Sequence, residues 1–255
     1  MKILIAGGGI AGLTAALCFA EDGHDVTVLE QAAAFGEVGA GLQIGPNGMR
    51  VMQALGLEAE LRRTAFEPER IEMRFGESGK TIFTIPLKDK AIDRWGAPYL
   101  HIHRADLISI LENACNTAPN IEVRFNTQLQ SVEQTPTGVT VHLSGGDVDN
   151  ADLLVGADGI HSVVQAHIVG PYVPRFTGCI AWRGVVPASK LTAHPPPPTA
   201  CAWVGRGKHA VTYYLRGGEL VNLVGVIERD DWREEGWSIE GKKEELRAEF
   251  EGWDP

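Results

Sequence analysis

The sequence predicts a mixed α/β fold, a strand–helix–strand unit at the amino terminus followed by a strand-rich second half. Three observations carry this. Gly7, Gly9 and Gly12 stand in G-x-G-x-x-G spacing between an apolar run and an Ala/Leu-rich stretch. A second, β-branched run (HDVTVLE, 24–30) closes on Glu30, and residues 176–227 read as strand after strand. A length of 255 residues suits one large domain or two small ones. Hydrophobic residues at 44% and charged residues at 22% exclude disorder and a membrane-spanning chain. The net charge of −10 lacks the basic footprint of a nucleic-acid binder. Cys18, Cys115, Cys179 and Cys201 form no CxxC pair, which argues against a zinc or other metal site and fits a reduced, cytoplasmic setting.

The first twenty residues mimic a secretory leader: a lysine, an apolar run, then small residues. Glycines 7, 8, 9 and 12 contradict it, because each costs up to about 1 kcal/mol inside a helix. A strand over 2–6, a glycine turn, a helix over 10–21 and a strand over 24–30 account for the same residues. In this Rossmann-like unit the first glycine permits the tight turn and the second lets backbone N–H groups reach a pyrophosphate. The third lets the helix pack on the strand. Glu30 is placed to accept from a free ribose 2′-hydroxyl, favouring FAD or NAD over NADP. The bland alternative is a glycine-rich turn that binds nothing.

A second glycine-rich loop (36–48) leads into a helix near 49–55, and 71–75 with 81–85 alternate as a hairpin. Leu107, Ile110, Leu111 and Ala114 mark a helix over 104–116. Strands follow at 121–125, 129–133 and 138–143. The apolar run 152–156 predicts a central parallel strand ending in Ala157-Asp158-Gly159, at the edge where open sheets place ligands. An ordinary turn aspartate bonded to its own backbone is the plain reading of Asp158. The proline run 195–198 predicts an extended loop. Leu246, Phe250 and Trp253 predict an amphipathic helix over 240–252 that packs on something.

Taken together, GGGIAG (7–12), GAGLQIGPNG (39–48), HRADL (103–107) and VGADGIHS (155–162) resemble the single-component flavoprotein aromatic hydroxylases. CIAWRG (179–184), HAVTYYLRGGEL (209–220), DDWREEGWS (230–238) and FEGW (250–253) extend the likeness along the chain. It is nearest to the salicylate, 3-hydroxybenzoate and 6-hydroxynicotinate members. The resemblance implies a p-hydroxybenzoate hydroxylase-type fold, with an FAD-binding domain at 1–70 and 101–170. A β-rich substrate domain is then inserted at 71–100 and 171–255. By the same resemblance, Gly7, Gly9, Ala11 and Gly12 cradle the FAD pyrophosphate, and Glu30 holds the adenosine ribose. Gly41 runs beside the isoalloxazine, Arg104 contacts FAD, and Asp158 serves the pyrophosphate and nicotinamide cofactor. Gln165 stands where the family commonly carries arginine.

The implied reaction hydroxylates a small hydroxy-aromatic acid. NADH or NADPH reduces the flavin, and dioxygen forms the hydroperoxide that attacks the ring. His209 and Tyr213, four apart in a strand and so on one face, are the catalytic candidates. A histidine suits substrate deprotonation near neutral pH, and the tyrosine positions the ring. Arg183 and Arg206 are candidates for a substrate carboxylate, with exposed salt-bridge partners as the alternative, and Cys201 reads as a buried structural thiol, with lining of the pocket as the alternative. The family's later Gly-Asp motif is absent, so the resemblance implies that the chain corresponds to the first two-thirds of such an enzyme, its C-terminal part missing. Two alternatives stay open: a non-catalytic chain that binds nucleotide or a partner, and an NAD-dependent dehydrogenase using only the glycine motif.

Overall fold

The computed structural model describes residues 1–36, 40–229, 231–232, 236 and 239–254. Gly39 and most of the 230–238 stretch lie outside them. In chain order the elements are β1 (Lys2–Ala6), α1 (Ile10–Glu21), β2 (Asp25–Leu29), β3 (Gly41–Ile44), α2 (Pro46–Ala54), α3 (Glu58–Thr64), β4 (Arg70–Phe75) and β5 (Thr81–Pro86). Next come α4 (Asp89–Trp95), β6 (Leu100–His103), α5 (Arg104–Thr117), β7 (Ile121–Arg124), β8 (Leu129–Thr135), β9 (Gly138–Leu143), β10 (Val148–Ala151) and β11 (Leu153–Gly156). The remainder is α6 (Val163–Val169), β12 (Cys179–Pro187), β13 (Ala200–Gly205), β14 (Lys208–Leu215), β15 (Leu220–Glu228) and α7 (Lys243–Glu249). No helix of the described residues is long and apolar enough to cross a membrane.

The chain divides into two compact units. The first comprises Met1–Glu37 and Leu107–Arg175. Its parallel sheet has the order β11-β1-β2-β7, and Ile3, Leu4 and Ile5 of β1 are fully buried. α1 packs through Leu13, Ala16 and Leu17, the apolar face its composition supplies. An antiparallel sheet, β10-β9-β8, closes the same core, where Leu129, Val141 and Leu143 meet Leu4, Leu29 and Val164. The run at 152–156 is a parallel strand but lies at the sheet's edge rather than its centre. β11 pairs with β1, and Leu153 is exposed. Leu107, Ile110 and Leu111 of α5 are buried, with Cys115 beside them, its thiol pushed up to about 12 by burial.

The second unit comprises Val38–Asp106 and Phe176–Pro255. Six strands form one sheet in the order β12-β15-β14-β13-β4-β5, antiparallel except where β13 runs parallel to β4. β3 and β6 make a separate antiparallel pair. The 38–70 and 101–106 segments group here, whereas the sequence-based boundaries fell at 70 and 101. The physical reason is contact with the six-stranded sheet: Gly41 N donates to Asn222 Oδ1, the His101 ring lies against Tyr213, and Asp106 holds Arg216. α7 is shorter than the amphipathic pattern, but its anchors pack as expected, using glycines in the sheet as seats. A Cβ at Gly225 would lie 2.9 Å from Phe250, and one at Gly205 would lie 2.7 Å from Trp253. The proline loop is tied down through Tyr214 Oη, which donates to the Pro196 carbonyl at 2.9 Å.

Candidate functional site

In the first unit the glycine turn is built by close backbone approach. Gly7 N donates to Leu29 O at 2.8 Å. Its φ is 98°, left-handed backbone that favours glycine, and a side chain there would strike the Ala157 carbonyl. A Cβ at Gly12 would strike the Gly7 carbonyl, so turn and helix can close only without one.

Gly9 has a different role. Its backbone is ordinary (φ −71°, ψ −174°), and a Cβ there would meet nothing within 4 Å. It precedes α1, whose amino terminus has neither a side-chain cap nor an acidic residue in its first turn. The first-turn N–H groups and the helix's partial positive charge thus face open space beside Gly9, with Ala11 exposed on that turn. That cradle fits a dinucleotide pyrophosphate.

Glu30 and Asp158 turn out to brace this loop. Glu30 Oε2 accepts from Gly8 N at 2.9 Å and Oε1 from Ala32 N at 2.8 Å, strapping the glycines to the end of β2. Each oxygen keeps a second lone pair. Asp158 accepts from Ser162 Oγ at 2.5 Å and from Val163 N and Val164 N at 2.7 and 3.2 Å. It braces the first turn of α6, whose N-cap is Ser162 with Oγ accepting from Gln165 N at 2.9 Å, while the neighbouring Ala157 carbonyl backs Gly7.

The second unit gathers the remaining candidates. Tyr213 is buried on β14 opposite Asn222 of β15, and burial pushes its hydroxyl up to about 12. It therefore stays a neutral phenol, able to donate but not to act as a base at pH 7. His209 lies on the same face, paired with Val204 and Val226. Four residues of strand place it about 13 Å from Tyr213 along the backbone. The histidine that touches Tyr213 is His101 of β6, at 4.7 Å between rings. Phe66 stacks on His101 at 6.1 Å and Tyr99 meets it edge-on at 5.9 Å. His101 is fully buried, and burial holds its pKa down at about 3. Sequence reasoning missed His101, Tyr99 and Asn222. The alternation in LHIH was the available signal.

Gly41 opens β3, and its N–H donates to Asn222 Oδ1 at 3.0 Å. A Cβ there would fall 2.5 Å from Tyr213 Cε2 and 2.9 Å from Leu215. Within this unit Gly41 makes room for Tyr213. Gly41→Ala should destabilise by about 1–3 kcal/mol through overpacking, read as a lower denaturation midpoint; an unchanged midpoint would contradict the contact. Arg104 begins α5 with its N–H on the Ala40 carbonyl at 3.2 Å, and Asp106 holds Arg216 through two bonds of 2.9 and 2.7 Å. Arg183 is exposed on β12, yet its charge is felt at the Tyr213 hydroxyl. Arg206 is exposed in the β13–β14 turn. Cys201 is buried, its thiol pushed up to about 11 by burial, as suits a packing residue. Among the described residues no cluster of His, Cys, Asp and Glu could hold a metal.

A parallel sheet whose first turn carries three spaced glycines before an uncapped helix defines a dinucleotide-binding protein. More narrowly, the chain belongs to the FAD binding domain family, whose profile matches residues 1–251. It is 39% identical over 253 residues to 3-amino-4-hydroxybenzoate 2-monooxygenase PtmB3 of Streptomyces platensis, covering 99% of this chain and 63% of that protein. It is 33% identical over 256 residues to 6-hydroxynicotinate 3-monooxygenase of Bordetella bronchiseptica, covering 100% and 66%. The crystal structure of Klebsiella pneumoniae HpxO with FAD and uric acid superposes with a TM-score of 0.83 at 27% identity, covering 100% and 63%. The chain thus spans about two-thirds of the length of these relatives. The resemblance to the flavoprotein aromatic hydroxylases holds across the whole chain.

Proposed function

We propose that this chain serves an FAD-dependent monooxygenase that hydroxylates a small hydroxy-aromatic acid. The observation that carries the reading is the open, uncapped amino terminus of α1 beside Gly9, in a chain whose relatives are aromatic monooxygenases. The overall balance consumes one dioxygen and one NADH or NADPH with a proton, placing one oxygen atom on the ring and releasing the other as water. The flavin, when bound, supplies the two-electron and oxygen chemistry. The residues of this chain do the rest.

Gly9, Ala11 and the first turn of α1 receive the pyrophosphate, while Gly7 and Gly12 keep the turn closed behind it. Glu30 offers its remaining lone pairs to a ribose hydroxyl while it straps the loop. Asp158 is a positioning residue, its oxygens committed to α6 and its neighbour Ala157 backing Gly7. Gly41 acts by letting Tyr213 approach, and Arg104 supplies positive charge at the start of α5 toward the cofactor. His209 accepts the proton of the substrate hydroxyl, since a phenolate gives electrons to an electrophilic oxygen more readily than a phenol. Tyr213, neutral and donating, orients the ring. The residues up to Arg175 in the first unit thus serve the nucleotide, and the six-stranded sheet serves the substrate.

The test is His209→Ala. Product formation at saturating hydroxybenzoate should fall about 100-fold or more, in line with loss of a general base. The yellow flavin absorbance of the purified protein should stay as in the parent. Unchanged turnover would sink the role of His209, and a colourless parent protein would sink the flavoprotein reading.

A further inference from the structure

The second unit holds a concavity of about 510 Å³ that none of the residues assigned above lines. Ile71 of β4, Ile85 of β5 and Leu87 give it apolar lining, and Trp95 of α4 and Tyr99 give it aromatic lining. Arg50 of α2 and Arg94 of α4 line it too. The volume is that of a small-ligand site.

The charges make it informative. The chain carries 33 acids against 23 bases, and Arg62, Arg70, Arg124 and Arg216 each sit on a carboxylate. Arg50 and Arg94 have no such partner among the described residues. Arg94 is instead held with its guanidinium 5.2 Å over the Trp95 ring, which orients the fork while leaving its N–H edge for an anion. Two unpaired guanidiniums in an acidic protein, beside apolar and aromatic lining, match a planar ring bearing a carboxylate. A phosphate fits less well, because α2 opens on Pro46, which has no N–H to offer.

We propose that this pocket binds the carboxylate end of an aromatic acid, Arg50 and Arg94 pairing with the carboxylate and Trp95 and Tyr99 flanking the ring. Tyr99 then links it to the candidate site, since it meets His101, which meets Tyr213. The class of ligand rests on the aromatic-acid reading above; the location does not.

The experiment is equilibrium binding, without turnover, of 3-hydroxybenzoate and its neutral amide to the 255-residue chain and to Arg50→Gln, Arg94→Gln and the double variant. Both arginines are exposed, so the variants should keep the parent's circular dichroism and melting midpoint. The acid should bind at least ten-fold more tightly than the amide. Each single variant should weaken it about ten-fold, and the double variant should erase the preference. Equal binding of the acid to all four proteins overturns the pocket and leaves the hydroxylase reading standing. Failure of both acid and amide to bind any form overturns both. Inorganic pyrophosphate that displaces the acid, and itself loses affinity in the double variant, would reassign the arginines to a nucleotide phosphate and overturn the carboxylate.

Discussion

Gly9→Asp is expected to stabilise the fold by roughly 0.5–1 kcal/mol, a few tenths from the cap and the rest from the helix dipole, and at the same time to weaken flavin binding severely. The two effects have opposite signs because the residue is not needed for packing. Gly9 has helix-compatible capping geometry, φ −71° and ψ −174°, and nothing stands within 4 Å of where a Cβ would go. An aspartate there fills the missing cap, accepts from a first-turn N–H and places a negative charge at the positive end of α1. The same carboxylate occupies the space a pyrophosphate needs and repels it. A rise in the FAD dissociation constant of at least 100-fold corresponds to about 3 kcal/mol. Fluorescence titration of FAD and urea denaturation of the flavin-free protein measure the two effects separately. Gly9→Asn supplies the cap without the charge and should fall between. FAD affinity in Gly9→Asp equal to that of the parent would remove the pyrophosphate from this turn. Gly7 and Gly12 make poor substitutes for the test, since side chains there collide with backbone and would confuse binding with folding.

What the sequence made legible follows the range of the forces involved. β1, α1 and β2 came out within a residue, because their periodicity and the glycine turn are local signals. The α5 stripe and the anchors of α7 were read for the same reason. The position of β11 was not: an apolar run marks a parallel strand, but whether it sits inside or at the edge is set by the strand order. Glu30 and Asp158 stand out in the sequence as cofactor candidates, whereas in the structure their hydrogen bonds run to backbone N–H groups and Ser162. A motif names a residue without naming its partner. His101 was invisible for a further reason. β6 is four residues long, and its meaning arises only when β3 pairs with it and β14 brings Tyr213 against it. The pocket at Arg50 and Arg94 likewise depends on two helices and a hairpin that share no motif.

Acidification from pH 7 to pH 5 is expected to cost the folded state about 2 kcal/mol through His101 alone. In the folded chain burial holds this imidazole at about 3, so it stays neutral throughout that interval. In the unfolded chain it titrates at its ordinary value of about 6.5. Below that value the unfolded state binds a proton that the folded state cannot, so stability falls with pH from near 6.5 down toward 3. Above 6.5 the contribution is flat. The carboxylates act lower. Glu58 and Glu122 are held below their ordinary range, first by hydrogen bonds from Arg62 and Arg124. Their stabilising contribution is present above that range and fades only as pH drops beneath it. His101→Phe keeps a ring between Phe66 and Tyr213 but cannot take up a proton. Urea denaturation of parent and variant at pH 7, 6 and 5 should therefore show the parent losing about 2 kcal/mol more than the variant. Parallel losses in the two proteins would mean that His101 is reached by solvent and charges in place. The same ring sets the limit on pH in the candidate site. If it charged, the cation would sit 4.7 Å from the Tyr213 ring in a pocket with no carboxylate within hydrogen-bond reach among the described residues.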